Sequence, residues 1–201
     1  MPLVKDLTKY TTAKDTEILV NYDYSDILSG DSIINFYGYM TEDSTGKDPH
    51  ANRQVFTTAD NTFQAVGDLD IDTPPFVKEQ EVQGEMTIQM AYGGLNMAGA
   101  DNVIPIIKVY HYDGSTETQI GTVTGPTLSG INPGTDVDRS TTMVCDITPT
   151  TFAIGDLVRI NITSGGNNTL RVYLDPTNTA TPYTGALFTN FIFSVPFEVD
   201  L

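Results

Sequence analysis

The stretch from Val82 to Tyr92, VQGEMTIQMAY, decides the fold class of this chain. Its apolar residues share one face of an extended strand: Val82, Met86, Ile88, Met90 and Tyr92. Polar residues take the positions between them: Glu85, Thr87 and Gln89. Because successive side chains of a β-strand point to opposite faces, this period of two predicts a strand with one buried face and one face in water.

The same alternation recurs outward from this stretch, and helical periodicity is almost absent. Two more strands are predicted at Val103 to Tyr112 and at Asp156 to Thr163. Further strands are predicted at Glu17 to Tyr22, Ser32 to Tyr39, Arg53 to Thr57, Thr118 to Thr124, Thr141 to Ile147, Thr169 to Leu174 and Leu187 to Val199. Short strands separated by turns predict an all-β protein, an antiparallel β-sandwich of the jelly-roll-like kind. We expect a single domain over residues 1–201, with a short N-terminal arm over about residues 1–15.

Prolines, glycines and polar runs predict where these strands end or bend. Pro105 and Pro196 cannot donate to a ladder, so Pro105 predicts an edge position or a bulge, and Pro196 predicts an edge or a break. Gly93-Gly94 is interpreted as a turn. Polar composition predicts surface loops at Thr41 to Asn61 and at Asp175 to Gly185.

The net charge of the sequence limits which classes of binding partner are expected. There are 26 acidic and 10 basic residues, and the formal net charge is -16. Such a surface repels phosphates and anionic lipids, so neither a direct nucleic-acid partner nor a membrane is expected. The charge serves solubility, or it attracts cations or a basic partner. The first ten residues predict no secretory signal, and the single cysteine, Cys145, excludes an intrachain disulfide.

Residues that carry catalytic chemistry are few. The two histidines are His50, in a polar segment, and His111, which is interpreted as a structural strand residue; neither lies in a nucleophile motif. Glu79, Glu81 and Glu85 are interpreted as a solvated strand face rather than as paired catalytic carboxylates. Phosphate-binding loops and zinc-ligand spacings are missing. The sequence therefore predicts no enzyme, no catalytic residues and no cofactor.

One acidic segment resembles a calcium loop in its spacing. Asp68, Asp70 and Asp72 alternate with Leu69 and Ile71, and Glu79 follows eleven residues after Asp68. Carboxylate oxygens suit Ca²⁺, but Thr73 stands where the loop needs glycine, and two prolines follow. A strand with one acidic face is the preferred interpretation, no metal site is predicted, and calcium binding stays an open alternative.

Three stretches resemble structural proteins of environmental tailed bacteriophages: Tyr22 to Tyr39, Thr148 to Thr163 and Val195 to Leu201. The shared patterns are an aromatic-x-Asp-x-x-x-Gly entry at Tyr24, a Phe-x-x-Gly-Asp turn at Phe152, and a terminal Pro-Phe-x-Val-Asp-Leu. The resemblance implies a jelly-roll-like, non-enzymatic virion protein of the head-decoration or fibre type, made in the host cytoplasm. It also implies a homo-oligomer, with a trimer favoured, whose subunit interface contains the Leu187 to Val199 strand or tyrosines such as Tyr37 and Tyr39. The major capsid protein is the second implied partner.

A second hypothesis comes from the ten tyrosines, which could serve as stacking platforms for sugars. A carbohydrate-binding, lectin-like sandwich would bind a glycan, with calcium held by the Asp68 to Asp72 cluster as an optional aid. The absence of tryptophan counts against this alternative, because indole offers the largest apolar stacking face.

Overall fold

The structure is a computed structural model that describes residues 31–42, 47–52, 63–130, 135–175, 186 and 188–198. The strands of this part are β1 (Asp31–Glu42), β2 (Lys47–Asn52), β3 (Phe63–Val66), β4 (Asp68–Asp72), β5 (Gln80–Met97), β6 (Asn102–Val103), β7 (Pro105–Tyr112), β8 (Glu117–Thr124), β9 (Leu128–Ser129), β10 (Thr135–Phe152), β11 (Leu157–Ser164), β12 (Leu170–Tyr173) and β13 (Phe191–Glu198). None of the described residues forms a helix that could cross a membrane. The prediction of an all-β protein is confirmed.

Eleven of these strands form one mostly antiparallel sheet in the order β3-β12-β5-β13-β1-β2-β4-β11-β7-β8, with β10 paired to β5. The contact between β2 and β4 is parallel, and β6 and β9 form a separate two-stranded ladder. The sheet nearly closes on itself, because β8 packs against β10. The two strands approach so closely that a Cβ atom added at Gly121 of β8 would stand 2.8 Å from Sγ of Cys145 in β10.

The predicted alternation of β5 is confirmed. All five apolar residues of the predicted buried face are completely buried: Val82, Met86, Ile88, Met90 and Tyr92. The glutamate and threonine between them are exposed, whereas Gln89 is half-buried and donates to Asn190 Oδ1 at 3.0 Å. The buried faces of β7, β10, β11 and β13 complete the core around this strand.

Two predictions about prolines need correction. Pro105 is the first residue of β7, which pairs with β11 on one side and β8 on the other, so β7 is not an edge strand. Pro196 lies in β13 between β1 and β5, again away from an edge. The predicted break is not seen either, because β13 continues past Pro196 to Glu198. The ladder between β13 and β5 shifts register between Ser194 and Phe197, and this irregularity accommodates the missing donor.

The predicted turn at Gly93-Gly94 is wrong, because both glycines lie inside β5. A Cβ at Gly93 would collide with the Asp138 carboxylate and the Val137 carbonyl of β10, so glycine permits a close approach of the two strands. The predicted loop from Thr41 to Asn61 is also wrong in part, since it contains β2 and the end of β1. The strands predicted at Glu17 to Tyr22 and Arg53 to Thr57 lie outside the described residues, as does nearly all of the loop after Asp175.

Cys145 is buried in β10, and we expect it to be almost inert towards thiol reagents. Burial, and secondly the charge of Asp146, raise the pKa of its thiol from 9.0 to about 11. At pH 8 the thiolate is then roughly 100-fold scarcer than in the unfolded chain, so labelling by an aromatic disulfide should be slower by at least that factor. Stopped-flow labelling with and without urea measures the ratio, and equal rates would contradict the burial.

Candidate functional site

A histidine and an aspartate from separate strands meet at one end of the sheet. His111 lies near the end of β7, and Asp156 immediately precedes β11, which pairs with β7 through Val158 and His111. His111 Nε2 and Asp156 Oδ2 are 2.6 Å apart. Their side chains keep only 20% and 12% of their surface exposed. The pair is called the His111–Asp156 dyad below.

The turn between β10 and β11 holds the dyad in place. Asp156 Oδ2 also accepts the backbone N–H of Ala153 at 2.8 Å, which ties the carboxylate to the turn. Gly155 has a φ of +97°, a conformation that favours glycine. The ring of Phe152 packs 4.4 Å from the His111 ring, measured between centroids. The carboxylate and the aromatic ring together restrict the orientation of the imidazole.

This arrangement is that of a general base with its orienting carboxylate. A neutral His111 donates its Nε2 proton to Asp156, which leaves the Nδ1 lone pair to accept a proton. Within the described residues, no serine, threonine or cysteine is hydrogen-bonded to His111, so no nucleophile completes a triad there. Cys145, whose thiol is buried with a raised pKa, is poorly suited to that role.

A second carboxylate lies close to the dyad, on the turn after β7. The pKa of Asp113 is lowered by the N–H of Thr116, then by hydrogen bonds from Ser115, and to a lesser degree by the charge of His111. These hydrogen bonds favour the ionised form of the Asp113 carboxylate.

Sequence reasoning named His111 only as a structural residue and did not single out Asp156 as its partner. His111 is a strand residue as predicted, but it also has a carboxylate partner 45 positions away in the chain. In the sequence, Asp156 belongs to the Phe-x-x-Gly-Asp pattern and opens the strand predicted from Asp156 to Thr163, and the turn pattern is the available signal for it. His50 lies in β2 beside the ring of Tyr39, at 6.0 Å between centroids, and no described carboxylate is hydrogen-bonded to it.

The acidic segment is strand β4, as the preferred interpretation predicted. Asp72 receives both arms of the Arg159 guanidinium, with Nε and Nη2 each 2.6 Å from a carboxylate oxygen. Arg159 also reaches Glu117 and lies 4.2 Å above the Tyr112 ring. The hydrogen bonds that Arg159 donates to Asp72 raise the pKa of its guanidinium. Asp72 thus forms an ion pair with Arg159 of the neighbouring strand β11.

The other two aspartates of β4 are bridged by Asn161, whose Nδ2 donates to Asp68 at 2.5 Å and Asp70 at 2.7 Å. Glu79 lies beyond β4, exposed ahead of β5. Among the described residues, no three acidic, histidine or cysteine side chains group as metal ligands. The carboxylates of β4 serve the β4–β11 contact, and Glu79 does not join them.

An open depression of about 550 Å³ lies elsewhere, lined by Val66, Gly67, Ser164 and residues 166–169. Its lining residues include no titratable side chain. The dyad is therefore the better candidate for a reactive centre.

Comparison with known proteins finds likeness of structure but not of sequence. No family model and no curated protein sequence matches the chain. A CocE/NonD family hydrolase from Staphylococcus aureus matches with a TM-score of 0.56 and 10% identity, over 86% of this chain and 37% of the other. An α-amino acid ester hydrolase matches with a TM-score of 0.51 and 11% identity, over 80% and 36%.

An aminopeptidase from a marine sediment Thaumarchaeota archaeon matches with a TM-score of 0.50 and 10% identity, over 83% of this chain and 37% of the other. The chain spans little more than a third of the length of each of these enzymes. At such low identity, the likeness establishes a shared fold, and the reaction is a matter for proposal.

These likenesses correct the functional predictions made from sequence. The similar structures named above are hydrolases and not phage virion proteins, so the resemblance to tailed-phage structural proteins is wrong. The predictions of a capsid-decoration function, of a virion location and of a non-enzymatic chain are contradicted by the same finding. The likeness to hydrolases does not support the lectin-like alternative either. These comparisons do not test whether the chain forms a homo-oligomer, so self-association stays a prediction.

Proposed function

We propose that this chain acts in the hydrolysis of ester or amide bonds, with His111 as the general base and Asp156 as the carboxylate that orients it. The observation that carries the proposal is the 2.6 Å contact between His111 Nε2 and Asp156 Oδ2, held by a turn that also binds the carboxylate. The fold likeness to hydrolases supports the same class of reaction.

In this proposal, His111 Nδ1 removes a proton from a water molecule while the water oxygen attacks the substrate carbonyl carbon. Asp156 stabilises the imidazolium that forms and keeps the ring in position. The imidazolium then returns the proton to the leaving alcohol or amine, and the bond between the carbonyl carbon and the leaving group breaks. A carboxylic acid and an alcohol or amine are released, and His111 is neutral again.

The names of the similar enzymes suggest which substrates to try first. One acts on α-amino acid esters, and another is an aminopeptidase. Because the chain covers only 36–37% of these enzymes, their complete activities are not transferred to it. A suitable panel contains p-nitrophenyl esters, phenylglycine methyl ester and alanine p-nitroanilide.

Replacing His111 by glutamine is expected to lower kcat on the reactive ester by roughly 10²- to 10⁴-fold, because the general base is removed. Initial rates over pH 5 to 9 measure the effect, and circular dichroism verifies that the variant is folded. The matched control is His50→Gln, which removes the other histidine and should leave kcat unchanged. Equal losses in both variants, or no turnover by the parent chain on any substrate of the panel, would contradict the proposal.

We also propose that the nearly closed sheet is a jelly-roll-like sandwich and that residues 1–201 form one domain. The alternation of buried and exposed residues on β5 and β11 supports this arrangement. An experimental structure of the whole chain is the test.

A further inference from the structure

Two exposed apolar side chains lie on the segments that adjoin the dyad. Ile154 is 72% exposed at the tip of the turn that carries Asp156, and Val77 is 69% exposed in the segment after β4. They are the two most exposed large apolar side chains in the described part of the chain. Pro74 and Pro75 are exposed in the same segment. These four residues are called the apolar rim.

Backbone hydrogen bonds join the two halves of the rim. Phe76 N donates to Asp156 O at 2.8 Å, and Gly155 N donates to Phe76 O at 2.9 Å. Val77 and Ile154 each adjoin one of these bonded residues, so the segment after β4 and the β10–β11 turn form one surface. The rim is therefore a continuous feature of the fold.

Ring contacts connect this surface to the dyad. The Phe76 ring packs 4.9 Å from the Phe152 ring, which in turn packs 4.4 Å from the ring of His111. Phe76 also packs edge-on against Phe197, at 5.7 Å, so its position is set by the core. The rim is thus held rigidly beside the group proposed as the general base.

We infer that the site takes substrates whose acyl group is apolar and several carbons long, and that Val77 and Ile154 bind this group. The inference rests on the proposed function of the dyad. Covering two exposed aliphatic side chains with an alkyl chain removes apolar surface from water on both partners. The net charge of -16 disfavours anionic substrates, so a neutral acyl group also suits the surface electrostatically.

The test compares kcat/KM for p-nitrophenyl hexanoate and p-nitrophenyl acetate. The double variant Val77→Ser/Ile154→Ser should lower kcat/KM for hexanoate by roughly five- to tenfold and for acetate by less than about twofold, because only the longer chain reaches the rim. The matched control is Val144→Ser, which removes an apolar side chain 51% exposed on β10 and should change neither value. His111→Gln, in contrast, should lower both values together.

A measurement independent of turnover separates this inference from the proposed function. Hexanamide should shift the methyl NMR signals of Val77 and Ile154 saturably, and acetamide should not. Saturable shifts without ester turnover would sustain the apolar subsite and overturn the proposed hydrolysis. An unchanged ratio of hexanoate to acetate rates in the double variant would overturn the subsite while leaving hydrolysis intact. No turnover and no shifts would overturn both.

Discussion

Replacing Arg171 by methionine is expected to lower the free energy of unfolding by about 3–5 kcal/mol. Arg171 is fully buried in β12, where Nη2 donates to Asp138 Oδ1 at 3.0 Å and Nη1 to Asp136 Oδ2 at 3.2 Å. Asp138 is itself buried, and its other oxygen accepts the hydroxyl of Tyr173 at 2.9 Å. Methionine fills similar space, but it removes the guanidinium of Arg171, whose positive charge helps to offset the desolvation of the Asp138 carboxylate.

Urea denaturation measures this loss, and the melting temperature should fall by on the order of 10 °C. The matched control is Arg159→Met, because Arg159 and its partners are partly exposed and such ion pairs contribute about 1 kcal/mol or less. The double variant Arg171→Met/Asp138→Asn should recover part of the loss, since the buried negative charge of Asp138 is then removed as well. Equal losses at Arg171 and Arg159 would show that burial does not decide the effect.

Replacing Phe193 by alanine is expected to cost about 3–5 kcal/mol of stability. Phe193 is completely buried in β13, where its ring stacks on Phe36 at 5.4 Å and meets Phe191 edge-on at 5.9 Å. β13 lies between β1 and β5, so the cavity would open between three central strands of the sheet. Close packing on all sides limits how far the neighbours can collapse into the space.

Thermal unfolding followed by circular dichroism measures the cost. Val144→Ala is the matched control, because Val144 is a strand residue with 51% of its surface exposed, and its loss should stay within about 0.5 kcal/mol. A Phe193 variant as stable as the control would show that the ring cluster is not part of the core.

The alternation of side chains predicted several strands well because it is a local property. In β11, Val158, Ile160 and Ile162 are all completely buried, as their spacing predicts. The edge positions of Pro105 and Pro196 were predicted wrongly, because whether a strand has neighbours on both sides depends on distant residues. The close approach of β10 to β5, which requires glycine at position 93, likewise cannot be predicted from neighbouring residues in the sequence.

The misleading functional prediction has a physical explanation in the turn around Phe152. This Phe-x-x-Gly-Asp pattern was part of the resemblance to phage proteins. In the structure its phenylalanine packs against His111 and Phe76, its glycine adopts a positive φ, and its aspartate receives a backbone N–H. Each of these features stabilises the turn at one end of the β-sheet. The pattern therefore indicates a local structure and does not indicate a virion protein.

By itself, the sequence determined the all-β class, the buried faces of β5 and β11, the acidic face of β4 and the presence of one unpaired cysteine. Only the tertiary structure decided the strand order, the burial of Arg171 with Asp138, and the dyad of His111 and Asp156 beside the apolar rim. The reason is physical. A strand's two faces are set by neighbours along the chain, whereas the partners of a charged or catalytic group are brought together by pairing between strands far apart in sequence.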